Sequence, residues 1–344
     1  MNICKFMKAG RFVLSLMMFF SCVEILAVDF IIKGGIDNPN VKAKIERSLS
    51  ALLTEVNAAQ EQGRTVNFKQ LNLPDDVETS VGLLWDNSPF YCLDDVVDQY
   101  CIKRNNGYYE VRNIPLSLKS KDGNSEEDYQ EAVVTFNASG NIVRFNIAIS
   151  TQLYLDVLRE DLEVKDKYYR ELILDFTERF RTAYNTHNIG FLEDVFSDDA
   201  LIITGHVVER RTADGVRLPD KVELKKQTKQ EYLSGLRRIF NKDRKNLIRV
   251  TFDDIKVNRH PSPDHDKIYG VTLHQGYTSG TYHDDGYLFL MWDFTDEQKP
   301  KIHVRTWQPD AYSKDGKTKT RISEDEIFCV EDFDFDDDLG KVKK

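Results

Sequence analysis

The sequence predicts an α+β fold in which helices precede a strongly curved antiparallel sheet, and two observations carry this prediction. First, apolar residues recur at three- and four-residue steps through residues 168–185 and again through 189–196, which indicates two amphipathic helices. Second, from residue 248 onward the period changes to two, in runs that turn residues separate. Helices that are followed by consecutive strands are typical of an α+β domain.

Local signals mark where these elements begin. Asn188 is a suitable N-cap for the second helix, and the polar turn 197–199 leads the chain into a strand from Ala200. Thr228 and Glu231 have the spacing of a capping box, so a third helix is predicted to start there. The strands predicted after this helix cover residues 248–252, 267–279, 287–294 and 301–308.

Three segments carry a resemblance to a known family: AYN…FLEDVFSDDALIITG at 183–205, the helix at 228–242, and the closing strand IHVRTW at 302–307. They resemble the nuclear transport factor two-like superfamily, which also holds ketosteroid isomerase, scytalone dehydratase and polyketide-cyclase-like proteins. The resemblance covers about residues 165–310. It implies a cone-shaped, cystatin-like fold, with a long helix across a curved sheet and an apolar mouth that holds a small molecule in many relatives. It specifies a fold and not a reaction.

The 344 residues of the chain exceed one such domain and allow about two. A helical face at 41–57 precedes further strand-like segments, which are 81–85, 108–114, 131–137 and 142–150. Two interpretations of this first part stay open: a diverged copy of the second, or an unrelated α+β domain. The predicted organisation is a signal peptide at 1–27, an N-terminal α+β domain at 40–152, a nuclear transport factor two-like domain at 165–312 and an acidic tail at 313–344. A helix is expected at the join, within 151–167.

The amino terminus predicts export. Lys5, Lys8 and Arg11 precede an apolar run at 12–20, which is typical of a bacterial-type secretory signal. The run is short for a membrane span. Cleavage after residue 27 would give a periplasmic or cell-surface protein. The alternative is a lipoprotein anchored through Cys22, and only in that case is a membrane partner expected.

Export bears on the cysteines, because thiols that lie near each other outside the cytoplasm tend to oxidise. Cys92 and Cys101 are the predicted disulfide, while two separately buried thiols are the alternative. Cys329 is left without a predicted partner. No Cys/His spacing is typical of a metal site, so none is predicted.

Charge and motifs exclude several classes of protein. The net charge of −10 and the pI of about 5.3 disfavour a nucleic-acid partner. The glycine spacings GxGxxG and GxxxxGK[ST] of phosphate-binding loops are missing, and so is the GxSxG elbow of hydrolases. No cofactor is therefore predicted.

Candidate site residues are polar or aromatic residues on the helix and strands that should line the cone. In ketosteroid-isomerase-like and dehydratase-like relatives, a carboxylate or a His with a carboxylate partner acts as general base in an apolar pocket. His274 with Asp293 is the first candidate for such a pair here, and His206 is a further one. The predicted ligand wall consists of Tyr184, Trp292, His303, Arg305 and Trp307.

Three function classes remain. The favoured one is an exported, non-catalytic module that binds a small apolar ligand or a partner protein, since no acid/base constellation stands out. The second is an isomerase, dehydratase or cyclase that uses His274 with Asp293, or His206. The third is an assembly component with a partner in the cell envelope. Convergence of His274 and Asp293 in a pocket would favour the enzyme, whereas a cone filled by Phe and Trp would exclude it.

Overall fold

The computed structural model describes residues 27–104, 106–118, 128–159, 164–243 and 247–333. The predicted signal peptide up to residue 26, with Cys22, lies outside the described residues, as does the end of the predicted tail from residue 334. In the part of the chain that is described, no helix has both the length and the apolar character that a membrane span requires.

The first unit combines a sheet with two helices. Its elements in chain order are β1 (Asp29–Gly34), α1 (Pro39–Glu61), α2 (Asp75–Asn87), β2 (Phe90–Cys92), β3 (Val96–Lys103), β4 (Tyr109–Leu118), β5 (Asp128–Phe136) and β6 (Ile142–Ile147). The strand order is β1-β3-β4-β5-β6, and β2 pairs with β4 on the same side as β3. The pair β1–β3 is parallel and the other pairs are antiparallel. The helices cover one face of the sheet with a core of their own.

The strand predicted at 81–85 is wrong, because these residues belong to α2. The buried residues of this helix, Val77, Val81, Leu84 and Trp85, recur at three- and four-residue steps, so the apolar run has a helical and not an alternating period. Acidic residues in the first turn, Asp75, Asp76 and Glu78, favour the same outcome through the helix dipole.

The second unit follows through a helical join, as the sequence predicted. Its elements are α3 (Thr151–Arg159), α4 (Val164–Asn185), α5 (Ile189–Val195), β7 (Phe196–Arg211), β8 (Arg217–Gln227), α6 (Lys229–Lys242), β9 (Ile248–Arg259), β10 (Ile268–Ser279), β11 (Tyr282–Asp293), β12 (Lys301–Pro309), β13 (Ala311–Ser313) and β14 (Lys319–Arg321). The large sheet has the order β8-β7-β12-β11-β10-β9, in which only β7 and β12 are parallel. The α+β fold class is therefore confirmed.

Both predicted helix starts have the expected caps. The side chain of Asn188 accepts a hydrogen bond from the Phe191 amide. At α6, Thr228 and Glu231 form the reciprocal hydrogen bonds of a capping box. Side-chain caps satisfy amide donors that have no partner inside the helix, and each typically contributes about 1 kcal/mol.

The two faces of the large sheet pack against different partners. On the inner face, Leu288, Leu290 and Trp292 of β11 contact the buried side of α4 and α6. On the outer face, the alternate residues Phe289 and Met291 pack in a smaller cluster with the C-terminal residues 328–333. Part of the predicted acidic tail therefore packs on the sheet, through its apolar residues Phe328, Val330 and Phe333.

Buried charges connect the two units. Arg112 of β4 donates to Glu178 of α4 (Nη2–Oε1, 2.5 Å) and to Glu110 (Nη1–Oε1, 3.0 Å), and its guanidinium lies 4.0 Å from the ring centroid of Tyr154. Arg104 pairs with Glu110 on the same side of the sheet. The four charged groups are almost fully buried. Because both units contribute to the network, their relative position is tied to its hydrogen bonds.

Candidate functional site

The structure does not bring the predicted base pair together. In the β10–β11 ladder, Asp293 lies opposite Ile268, which is six residues from His274 along β10. At about 3.3 Å per residue, the two predicted partners are about 20 Å apart. The register of the strands decides this distance, and the blurred alternation of the sequence did not define that register.

His274 instead lies on the outer face of the sheet. Its neighbour Leu273 belongs to the inner core, so the imidazole points away from the interior. Its Nδ1 is 3.1 Å from Asp253 Oδ1 and its Nε2 is 3.6 Å from Asp310 Oδ2. A histidine held between two carboxylates on the outer face has a structural role that needs no ligand.

Asp293 pairs with His303, at 3.5 Å between Oδ2 and Nε2, and accepts a hydrogen bond from the Thr295 amide. Burial alone would raise the pKa of Asp293, but the hydrogen bonds from His303 and Thr295 outweigh it and lower the pKa to about 2. A carboxylate with so low a pKa is a weak base at neutral pH. The pair that does form is therefore poorly suited to abstract a proton.

An open cleft lies where the large sheet divides. The last ladder positions of β12 are Trp307 opposite Thr204 on β7 and Pro309 opposite Gly286 on β11. Beyond them β7–β8 and β10–β11 continue as separate arms. The cleft between the arms has a volume of about 710 Å³, and its lining comprises Trp307, Lys319 and residues 204–207, 282–285 and 309–311.

Trp307 forms the aromatic floor of this cleft and is half-buried. Gly286 of β11 makes room for its ring, because a Cβ at that position would come within 2.7 Å of the Trp307 ring and 2.4 Å of the Gln308 carbonyl oxygen. A side chain at position 286 would therefore push the indole away from the strand. Because Gly286 has no side chain, the amphipathic ring of Trp307 fits at the base of the cleft.

The rim of the cleft is polar. His206 is exposed, with its Nε2 3.7 Å from Glu223 Oε2, and His283 lies 2.7 Å from Asp285 (Nε2–Oδ2). Burial raises the pKa of Asp284, and the neighbouring Asp285 carboxylate raises it further. Of the predicted bases, His206 is thus the one that the structure places at a cavity.

Three residues meet on the inner face behind Trp307. The Tyr184 hydroxyl on α4 and the Tyr232 hydroxyl on α6 are hydrogen-bonded to each other. The guanidinium of Arg305 lies 4.9 Å from the Tyr232 ring centroid and donates to the Tyr184 hydroxyl. The sequence predicted Tyr184, Arg305 and Trp307 as wall residues but did not single out Tyr232. Its hydroxyl was the available signal, because a tyrosine on the buried face of a helix needs a polar partner there.

The other predicted wall residues lie elsewhere. Trp292 is fully buried, with ring centroids 5.7 Å from Phe176 and 5.9 Å from Phe294, so it belongs to the packed core of the cone. His303 is engaged with Asp293 and lies 3.7 Å from Asp199 (Nδ1–Oδ1). The cone is thus filled by aromatic side chains at this depth, and the space for a ligand among the residues above is the cleft.

The predicted disulfide is not present. Cys92 pairs with Leu116 on β4 and Cys101 with Val111, positions that are five residues apart along that strand. The separation of about 15 Å far exceeds the roughly 7 Å that a disulfide can span between Cα atoms. Both thiols are free and buried, which was the alternative interpretation, and burial raises the pKa of Cys92 to about 11 and of Cys101 to about 12.

We therefore expect native protein to resist alkylation at Cys92 and Cys101, because a buried thiol with a raised pKa forms little reactive thiolate. Iodoacetamide at pH 8, followed by peptide mass spectrometry, should modify both thiols fully in urea without reductant and hardly at all in buffer. Recovery of a Cys92–Cys101 cross-linked peptide would contradict the structure.

The described residues hold no group of three His, Cys, Asp or Glu side chains placed as a metal ion would require.

No family model and no curated protein matches the chain. Solved structures do. An NTF2-like (nuclear transport factor two-like) protein from Cytophaga hutchinsonii is 16% identical, with a TM-score of 0.29, and covers 41% of this chain and 97% of its own. An NTF2-like protein of unknown function in nutrient uptake from Rhodospirillum rubrum is 16% identical, with a TM-score of 0.28. The match covers 40% of this chain and 97% of the Rhodospirillum chain.

A candidate ketosteroid isomerase from Shewanella frigidimarina is 12% identical, with a TM-score of 0.27, and covers 40% of this chain and 94% of its own. The solved structures to which the chain is similar therefore include NTF2-like proteins, as the sequence resemblance predicted. This similarity concerns the fold and names no ligand or reaction for the chain.

Proposed function

We propose that the protein is a non-catalytic binding module that holds a small, largely apolar ligand in the cleft of the second unit. The observation that carries the proposal is the cleft of about 710 Å³ with Trp307 at its floor. Sites for small molecules commonly have volumes of about 300–1,000 Å³ and combine aromatic walls with a few polar groups. The cleft lies in this range of volume, and Trp307 and Tyr282 give it aromatic surface within a lining that is otherwise mostly polar.

The placement of the predicted bases supports binding rather than catalysis. A general base has to reach the substrate and should titrate near the working pH. His274 lies on the outer face between Asp253 and Asp310, and the pKa of Asp293 is lowered to about 2. Neither residue meets both conditions, so a reaction of the isomerase type through this pair is not part of the proposal.

Export belongs to the proposal and rests on the sequence alone. Basic residues before an apolar run within residues 1–27 favour a secretory signal, which would place the module in the periplasm or at the cell surface. There it would meet small ligands outside the cytoplasm, or an envelope protein if the cleft serves assembly instead. Mass spectrometry of the mature protein tests both parts, since it gives the processing site and any ligand that is retained.

The binding site is tested with the fluorescent apolar probe N-phenyl-1-naphthylamine. Replacing Trp307 or Tyr282 with alanine should weaken probe binding about tenfold, because each change removes apolar surface that the probe would bury. Tyr129 is a matched control, since it is 57% exposed like Tyr282 but belongs to the first unit. Equal binding by the Tyr282→Ala and Tyr129→Ala proteins, or no binding by the natural protein, would refute the proposed site.

A second candidate function is a small-molecule enzyme that uses the cleft histidines. The observation in its favour is that His206 and His283 both line the cleft and that His283 has a carboxylate 2.7 Å away. Incubation of the protein with its co-purified ligand, followed by mass spectrometry, decides between the two. A product that the natural protein forms and the His206→Ala and His283→Ala proteins do not would favour the enzyme.

A further inference from the structure

Arg305 is a buried cation to which the described residues supply no carboxylate partner. The residue is 5% exposed, and its Nε and Nη1 have no hydrogen-bond acceptor among the described residues. The comparison with Arg104 and Arg112 is direct, since these equally buried guanidinium groups are each ion-paired with carboxylates. The acceptor known for Arg305 is the neutral Tyr184 hydroxyl. A buried charge in this state destabilises a protein unless another group compensates it.

A second donor without an acceptor lies next to it. Trp307 and Arg305 are two residues apart on β12, so their side chains project from the same face of the sheet. The indole Nε1 of Trp307 is buried and has no hydrogen-bond partner in the described part of the chain. An indole and a guanidinium are donors only, and neither can satisfy the other. The missing partner of both must therefore supply acceptor atoms.

The neighbouring hydroxyls meet this need only in part. Tyr184, which is bonded to Tyr232, is an acceptor for the Arg305 guanidinium, whereas Nε and Nη1 of Arg305 and Nε1 of Trp307 have no acceptor among the described residues. The ring of Tyr232 lies beside the guanidinium, so an aromatic face covers one side of it. Trp307 lies one inner-face position nearer the cleft than Arg305, and it lines the cleft. Arg305 itself is not a lining residue and lies one inner-face position deeper, so a ligand group reaches the guanidinium only past the indole ring.

We propose that the ligand is an organic anion whose carboxylate-like group binds Arg305 and the Trp307 indole while its apolar body lies along Trp307 in the cleft. This inference rests on the proposed function and adds the chemical class of the ligand. A carboxylate offers two acceptor oxygens in the geometry that a guanidinium fits, and a charge-assisted hydrogen bond in a dry site is among the stronger polar contacts.

The acidic rim does not oppose this arrangement. Leu290 is the β11 partner of Arg305, and Asp284 lies six residues farther along that strand, or about 20 Å. This distance exceeds the Debye screening length, which is about 8 Å at physiological ionic strength. The rim carboxylates therefore act on the outer end of a ligand, and Arg305 acts on the inner end.

Two probes with the same rings test the inference: 8-anilinonaphthalene-1-sulfonate, which is an anion, and N-phenyl-1-naphthylamine, which is neutral. The natural protein should bind the anion at least about tenfold more tightly, the gain typical of a hydrogen bond to a charged group. Arg305→Met should abolish this preference and Arg305→Lys should keep part of it. Arg238→Met removes an exposed arginine of the same unit that does not line the cleft and should leave the preference unchanged.

The outcomes separate this inference from the proposed function. Equal affinity for both probes, or a preference that survives Arg305→Met, overturns the anion site and leaves the binding module in place. Failure of the natural protein to bind either probe overturns both. The melting temperature gives a second readout, because methionine in place of an unpaired buried arginine should raise it in the ligand-free protein. A lower melting temperature without loss of probe selectivity would indicate a purely structural arginine.

Discussion

Replacement of Glu178 by alanine is expected to lower the free energy of unfolding by about 3–5 kcal/mol, the usual cost of removing one partner of a buried ion pair. The carboxylate is 1% exposed and accepts hydrogen bonds from Arg112 (Nη2–Oε1, 2.5 Å) and the Ile149 amide (N–Oε1, 3.0 Å). Without it, Glu110 is the one carboxylate partner that the described residues leave to Arg112, and Glu110 is shared with Arg104. The measurement is the shift of the urea unfolding midpoint.

Two further variants separate the charge from the hydrogen bonds. Burial, together with the nearby Glu110 carboxylate, raises the pKa of Glu178 despite the adjacent Arg112, so desolvation already offsets part of the benefit of the charge. Glu178→Gln, which keeps acceptor atoms, should therefore cost less than Glu178→Ala. The double variant Arg112→Met/Glu178→Leu should recover much of the loss, because it leaves no buried charge unpaired.

Glu209 provides the control, since it is a glutamate of the second unit with 54% side-chain exposure and an arginine partner at 3.2 Å. Glu209→Ala should change stability by less than about 0.5 kcal/mol. If Glu178→Ala proved as mild as this control, the network would not hold the two units in place. If the double variant were less stable than either single one, the pair itself would stabilise the fold more than apolar packing can.

The sequence predicted the elements of the second unit well because the signals are local. The Thr228–Glu231 capping box and the Asn188 cap lie within three residues of the helix starts that they mark. The alternation of Ile248, Val250 and Phe252 was enough to predict a strand with one buried side. Such patterns depend on the helical and strand periods and need no knowledge of the rest of the chain.

The two pairings that the structure does not form, Cys92 with Cys101 and His274 with Asp293, depend on strand register. Register is set by contacts between residues that are distant in the sequence. Cys92 and Cys101 are close in sequence, but each is aligned on β4 by its own ladder, which separates them. Asp293 was expected near His274 because the two predicted strands adjoin, whereas the ladder sets its partner at Ile268. A shift of pairing cannot be read from one sequence when the alternation is blurred.

The edge strand β8 was not predicted from the sequence. Lys221, Lys225 and Lys226 of this edge strand lie exposed. Lysines on an edge strand hinder pairing with other chains. The composition of such a strand therefore resembles that of a loop. Arg305, by contrast, was found from sequence because it alternates with apolar residues on a well-defined closing strand.

Replacement of Phe333 by alanine is expected to cost about 3–5 kcal/mol of stability, the usual range for removal of a buried phenylalanine. Its ring is 1% exposed and stacks on Phe289 of the outer face, with 5.3 Å between centroids and an interplanar angle of 4°. Phe328 packs on it from the same C-terminal segment, at 5.8 Å. A C-terminal segment that did not pack on the sheet would give no effect, so the urea midpoint tests this packing.

The same variant tests why this segment packs on the sheet. Phe289, Met291 and Val304 form an apolar patch that the C-terminal residues cover. Uncovered apolar patches promote association between molecules, so Phe333→Ala should self-associate in sedimentation velocity at concentrations where the natural protein does not. Glu331→Ala, a change at an exposed residue of the same segment, should leave both stability and association unchanged. If the Phe333→Ala protein is destabilised but stays monomeric, the segment contributes packing energy without protecting the sheet face from association. That result would contradict the expected self-association and leave the expected loss of stability confirmed.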